Sequence, residues 1–229
     1  MTAKSAVVLL SGGLDSATTL VSAIKAGYSV SVLSFKYGQV HSRELKAARE
    51  LVKHYNIQRH EIIELDLRKI GKSALIDTSS AIPENRDLDE LATEIPTTYV
   101  PARNIIMLSC AVAMAESIGA QTVFIGVNTI DYSGYPDCRP DFISAFEHAA
   151  ELGTKVGVEG NKIKIETPLI NLTKSEIIKL GQELNVPFEL TWTCYKGGPL
   201  ACGRCDSCKL RLKGFFEAGL EDPLDYEEN

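Results

Sequence analysis

No apolar run in the 229 residues approaches the roughly 20 needed to cross a bilayer. The opening Met1-Thr2-Ala3-Lys4 carries one positive charge and lacks the long apolar stretch of a secretory leader. These absences lead us to expect a cytoplasmic chain with no membrane contact. Excess positive charge is lacking as well: 24 Lys and Arg stand against 30 Asp and Glu, interspersed, for a net charge of -6. That balance disfavours a stable nucleic-acid partner held through phosphate electrostatics and favours a small-molecule substrate. The Walker pattern G-x-x-x-x-G-K-[ST] is missing, and the first glycine loop is not the dinucleotide fingerprint G-x-G-x-x-G. The four histidines, His41, His54, His60 and His148, show no ligand spacing. We find no internal repeat, low-complexity tract or linker.

What is present is ordinary for a chain that buries a core: 45% hydrophobic and 24% charged residues. Strand and helix signals alternate, which predicts an α/β fold with a doubly wound, mostly parallel sheet. Ala6 to Leu10 is continuously apolar, as a strand covered on both faces should be. Helices are expected over Ser16–Ala26, His41–Tyr55, Asn104–Ser117, from Pro140 to about Leu152, and over Thr173–Leu184. The last opens on Thr173-Lys174-Ser175-Glu176, a capping box. Further strands are expected over Tyr28–Phe35, Glu61–Leu65, Thr122–Gly126 and Ile163–Ile165. Gly71 to Pro96 is polar and patternless and reads as an excursion over the site.

Between the first strand and the first helix lies Ser11-Gly12-Gly13-Leu14-Asp15-Ser16. The glycines tolerate positive φ and admit a ligand close to the backbone. The N–H groups, with the Ser11 and Ser16 hydroxyls, suit a phosphate at the positive end of a helix. Asp15 would repel that phosphate unless a divalent cation lies between them, so it implies Mg²⁺ on a pyrophosphate group.

Four of the six cysteines, Cys194, Cys202, Cys205 and Cys208, fall within fifteen residues. This grouping fits a closed tetrahedral Cys₄ zinc site with a structural role, an iron–sulfur cluster being the rival occupant. Cys110 and Cys138 stand apart, Cys138 as a candidate site-lining thiol.

Three further features sit where an α/β sheet places ligand contacts. Arg103 opens a helix, where a cation is unfavourable unless it holds a phosphate or carboxylate. Lys174 occupies the same kind of position on a later helix. The loop Asn128 to Arg139 follows the fourth strand and offers Asp131, Tyr132, Tyr135, Asp137 and Arg139. Its aromatics suit a flat ring, and either acid suits a guanidine-like edge. Gln39 and His41 follow the second strand and are further candidates.

The hexapeptide resembles the S-G-G-x-D-S signature of the PP-loop ATPases, of the adenine nucleotide alpha hydrolase-like fold. The resemblance narrows with Phe35-Lys36-Tyr37-Gly38-Gln39, Tyr99-Val100-Pro101-Ala102-Arg103-Asn104, Asp131 to Arg139, Pro168 to Leu180 and the four cysteines. Together these resemble the QueC-type family of PP-loop enzymes, with alanine at 102 where glycine is expected. The resemblance implies an ATP-dependent ligase that turns 7-carboxy-7-deazaguanine and ammonia into the 7-cyano product. It implies adenylation by ATP with Mg²⁺, a structural zinc, and a homodimer. Leu10, Ser11, Gly12, Gly13, Leu14, Asp15, Ser16 and Lys36 then bind ATP, and Asp15, Ser16, Arg103 and Lys174 carry the chemistry. The 128–139 loop binds the base. A nucleotide-binding domain over 1–185 and a zinc-binding segment over 186–229 follow. A tRNA-thiolating or other adenylating PP-loop enzyme is the alternative.

Overall fold

A strand buried on both faces needs apolar side chains at successive positions, and Ser5–Leu9 supplies them as β1. It lies at the centre of a five-stranded, all-parallel sheet in the order β3-β2-β1-β4-β5. The partners are β2 (Ser29–Lys36), β3 (His60–Glu64), β4 (Thr122–Phe124) and β5 (Lys164–Glu166). The structure is a computed structural model that describes residues 4–77, 79–87, 95–130 and 135–228.

Seven helices are present among the described residues: α1 (Leu14–Lys25), α2 (Arg43–His54), α3 (Arg103–Ile118), α4 (Pro140–Gly153), α5 (Lys155–Val158), α6 (Lys174–Leu184) and α7 (Asp206–Ala218). The period of two along β1 assigns them to faces. Ala6 and Val8 point into a core with Leu14 and Leu20 of α1, Ala48 and Leu51 of α2, and Ile177 and Ile178 of α6. Val7 and Leu9 point the other way, against Leu108, Ala111 and Ala115 of α3 and Ile143 of α4. The sheet is therefore wound on both sides, as the alternation of elements led us to expect.

Local signals set the element ends. The Thr173 side chain accepts the Glu176 N–H, and the Glu176 carboxylate accepts the Thr173 N–H at 2.8 Å, completing the expected capping box. Pro140 stands at the first position of α4, where its missing N–H has no consequence.

Two parts differ from expectation. The segment read as a patternless excursion is anchored in its first half: Ser73, Ala74, Leu75 and Ile76 are buried, and the Ala74 N–H donates to the Thr97 carbonyl at 2.9 Å. Three apolar residues are too few to show a period. Positions 78 and 88–94 of that segment lie outside the described residues. The cysteine-rich tail also contains a helix, α7, which packs on α6. Gly214 permits the approach, since a Cβ there would lie 2.4 Å from Lys174 Cγ. Phe215 of α7 meets Phe188 edge to face at 5.4 Å, within the core shared with α1.

Arg211 ties the tail together. Its guanidinium is buried, donates to both Asp222 carboxylate oxygens at 2.7 and 2.9 Å, and reaches Thr191 Oγ1 at 2.7 Å. The Tyr226 hydroxyl donates to the same carboxylate at 2.6 Å. Asp222→Ala would leave a buried cation unpaired, and a loss of about 3–5 kcal/mol in urea unfolding is the expected result.

Candidate active site

The C-terminal ends of β1 and β4 face a crevice, because the chain runs outward in opposite directions from these neighbours; ligands bind at such switch points. A cavity of about 290 Å³ opens there. Its wall includes Leu9 and Leu10 at the end of β1, Phe35 and Tyr37 at the end of β2, and Ile125 to Asn128 after β4.

The glycine loop forms one end. Gly12 has φ +92°, and a Cβ there would lie 2.2 Å from the Glu44 carbonyl oxygen, so no larger residue fits. Gly13 takes φ -79° as the residue before α1, so only the first glycine uses the positive-φ freedom expected of both. The Gly12 N–H donates to Ser16 Oγ at 3.2 Å, the Gly13 N–H to Ser11 Oγ at 3.3 Å, and the two hydroxyls lie 3.1 Å apart. The first N–H groups of α1 have no partner within the helix, which makes this a ready anion cradle.

Asp15 and Lys174 meet across the loop. Lys174 Nζ donates to both Asp15 carboxylate oxygens at 2.7 Å, and the pair is largely sheltered from solvent. Asn128 Nδ2 lies 3.5 Å from Asp15 Oδ2, and its own Oδ1 is buried with no partner among the described residues. The lysine that looked misplaced at a helix start is held by an acid one hundred and fifty-nine residues away.

The other end of the cavity is built around Arg103. Its guanidinium stands 5.7 Å from the centre of the Tyr37 ring, with Nη1 3.5 Å from the Tyr37 hydroxyl. Burial, aided by Glu44, pushes the Tyr37 hydroxyl up to about 12. Burial raises Glu44 to about 7, against the lowering effect of Arg103. Glu44 is half-buried and lines the cavity. Burial, then Asp137, pushes Cys138 up to about 12, so it lines the site as a neutral thiol. Tyr135 also lines the cavity, its hydroxyl 3.1 Å from Thr98 Oγ1.

Ala102, before α3, has φ 56° and ψ 20°. The left-handed conformation costs an alanine roughly 1–2 kcal/mol, while glycine costs roughly 0.5–1 kcal/mol in unfolded-chain entropy. Ala102→Gly is therefore expected to leave stability unchanged or raise it by up to about 1 kcal/mol, read from thermal unfolding.

The cavity brings together Leu10, Ser11, Gly13, Leu14, Asp15, Ser16, Arg103, Tyr135 and Lys174, while Gly12 of the same loop faces the α2 backbone instead. Other candidates stand elsewhere. The Lys36 side chain is exposed and pairs with Glu64 at 3.2 Å. Asp137 is buried and accepts the Asn104 N–H at 3.0 Å, capping α3. Arg139 is exposed outside the cavity. Asp131 and Tyr132 lie outside the described residues. The Gln39 side chain accepts the Tyr37 N–H at 2.7 Å, and His41 packs against Gly197 in the tail. Tyr37, Glu44, Trp192 and Thr193 line the cavity without having been singled out as site residues, and Asn128 does so from the start of the 128–139 loop. Tyr37 and Asn128 follow β2 and β4, Trp192 and Thr193 adjoin the cysteine segment, and Glu44 stands in the first turn of α2.

The four tail cysteines are all buried, with their sulfurs within 4.8 Å of one another. Among the described residues they form the one group of this kind. Cys202 Sγ and Cys208 Sγ lie 3.9 Å apart, close to the roughly 3.8 Å edge of a tetrahedron with zinc–sulfur bonds. Gly203, at φ +68°, turns the chain so that the Arg204 and Cys205 N–H groups point at Cys202 Sγ, at 3.5 and 3.3 Å. The donor set fits a closed metal centre. It also reaches the active site, because the Trp192 N–H, two residues before Cys194, donates to the Gly12 carbonyl at 2.9 Å.

The sheet order, the loop at the switch point and the pair behind it define a PP-loop fold of the adenine nucleotide alpha hydrolase-like kind. A solved structure of NMN synthetase from Francisella tularensis shares the fold, with TM-score 0.50 and 22% identity over 96% of this chain and 79% of that one. The sequence model of the family described as "Queuosine biosynthesis protein QueC" matches residues 5–219. A 7-cyano-7-deazaguanine synthase of Thermoplasma acidophilum is 58% identical over 100% of this chain and 94% of its own length. One of Nostoc punctiforme is 56% identical over 96% and 99%. The chain belongs to the QueC family.

Proposed function

We propose that this enzyme converts 7-carboxy-7-deazaguanine and ammonia to 7-cyano-7-deazaguanine, with ATP cleaved to AMP and pyrophosphate. The observation that carries the reading is the Asp15–Lys174 pair beneath the glycine loop, opening on the same cavity as Arg103 in a chain of this family.

A carboxylate is a poor electrophile until one oxygen becomes a leaving group. The substrate carboxylate attacks the α-phosphorus of ATP, an O–P bond forms, and pyrophosphate departs into the loop. Lys174 and the α1 N–H groups offset its developing charge. Ammonia then attacks the acyl carbon and AMP leaves with the C–O electron pair, giving the amide. A second ATP adenylates the amide oxygen, releasing pyrophosphate and one N–H proton; AMP then leaves with the C–O electron pair as the remaining N–H proton is lost and the nitrile forms. In this reading Arg103 holds the substrate carboxylate and Tyr135 bounds the ring.

Mg²⁺ accompanies the nucleotide. Asp15 is the loop carboxylate that would face it, the cation being held mainly by substrate phosphates. Zinc is the metal of the Cys₄ centre. A homodimer, which rests on the family resemblance, and a cytoplasmic location, which rests on the lack of a leader-like start in the sequence, complete the reading; among the described residues no helix is long and apolar enough to cross a membrane.

The test is chromatography of ATP products with each substrate omitted in turn. AMP and pyrophosphate that depend on the deazapurine acid, together with nitrile when ammonia is present, are expected. ATP turnover indifferent to the acid would refute the assignment.

A further inference from the structure

At neutral pH ammonia exists mainly as ammonium, which has no lone pair and cannot attack a carbonyl. The cations already assigned to the site, Lys174 and Arg103, would repel it. Among the described residues the cavity wall holds two carboxylates, Asp15 and Glu44. Both oxygens of Asp15 are engaged by Lys174. The Glu44 carboxylate takes part in no hydrogen bond or ion pair among the described residues, though it lies within electrostatic reach of Arg103.

Glu44 comes from the first turn of α2, whose backbone presses against the glycine loop at Gly12. It therefore stands between the pyrophosphate cradle and the Arg103 end, where the activated carbonyl must lie.

We propose that Glu44 receives ammonium in this cavity and takes its proton, delivering ammonia to the adenylated carbonyl. The inference rests on ammonia being the nitrogen donor, as proposed above. The balance is simple. One N–H bond of ammonium breaks and the proton passes to the Glu44 carboxylate. The freed pair forms the C–N bond as the C–O bond to AMP breaks, and AMP departs with those electrons. The excess proton on the new amide nitrogen goes to water, as does the one on Glu44. The groups that face Glu44 suit this role: Arg103 of α3 keeps the carboxylate ionisable, while burial raises its proton affinity towards neutrality.

Two assays on Glu44→Gln test the assignment. Acid-dependent ATP–pyrophosphate exchange, run without ammonia, reads adenylation alone and is expected to persist. Amide formation from ammonium is expected to fall about 100-fold, the loss typical of a missing general base. Hydroxylamine, a nucleophile already neutral at pH 7, is expected to give hydroxamate at the parent rate, and Glu44→Asp to restore part of the ammonium reaction. Equal loss with ammonium and hydroxylamine would overturn the proposal, as would loss of the exchange reaction, which would place Glu44 on the nucleotide or the base. If the parent enzyme showed no acid-dependent exchange, the assigned reaction itself would fail, an outcome distinct from either.

Discussion

Lys174→Met is expected to lower acid-dependent AMP formation by roughly 100–1000-fold, the usual cost of removing one preorganised group from a developing anion. The substitution keeps an unbranched apolar stem beside Gly214 and removes the ammonium group. It also leaves Asp15, which Lys174 now holds through two contacts of 2.7 Å, as an uncompensated carboxylate facing the departing pyrophosphate. Two effects then act in the same direction, lost stabilisation and new repulsion. Asp15→Asn in the same background should cost less than the two separate losses combined, because the two residues act as a unit. Single-turnover rates at saturating ATP measure this. A lysine of merely structural value would lower thermal stability without changing the chemical step.

Removal of the tail metal carries the second large effect. Structural zinc supplies about 10–16 kcal/mol of apparent binding free energy in small zinc domains. Without it, four thiols would crowd a buried pocket within 4.8 Å of one another. Chelation, or Cys202→Ser, is expected to unfold the segment from Trp192 onward and to abolish ATP binding. The connection is the hydrogen bond from the Trp192 N–H to the Gly12 carbonyl, which fixes the glycine loop from outside. The chain has one tryptophan, at 192, so its fluorescence reports the tail directly. A red shift that accompanies metal release and loss of nucleotide binding is the expected record. Nucleotide binding that survives complete metal loss would separate the centre from the site.

Much of this was legible in the residues. Short strands covered on both faces announce themselves as apolar runs, and Ala6 to Leu10 did so. The glycine loop was legible because steric and electrostatic demands leave few alternatives at those positions. Lys174 was legible as an electrostatic mismatch, and the structure supplies its partner. What sequence did not disclose is long-range pairing. That Asp137 caps α3, that Lys36 turns to Glu64, and that Glu44 faces the cavity all depend on which elements meet. Helix α7 was obscured by the cysteines, whose spacing reads as a metal loop, and by an apolar face that only α6 completes. Ala74 to Ile76 were buried by tertiary packing with no period to reveal it.

In the proposed reaction ATP is cleaved between its α and β phosphates by the substrate's own oxygen, in this cavity. Substrate labelled with oxygen-18 at both carboxylate oxygens tests this most directly, with the products read by mass spectrometry. Each AMP released should carry one labelled oxygen on its phosphate, and the nitrile should carry none. Unlabelled AMP, or label found in orthophosphate beside ADP, would contradict it.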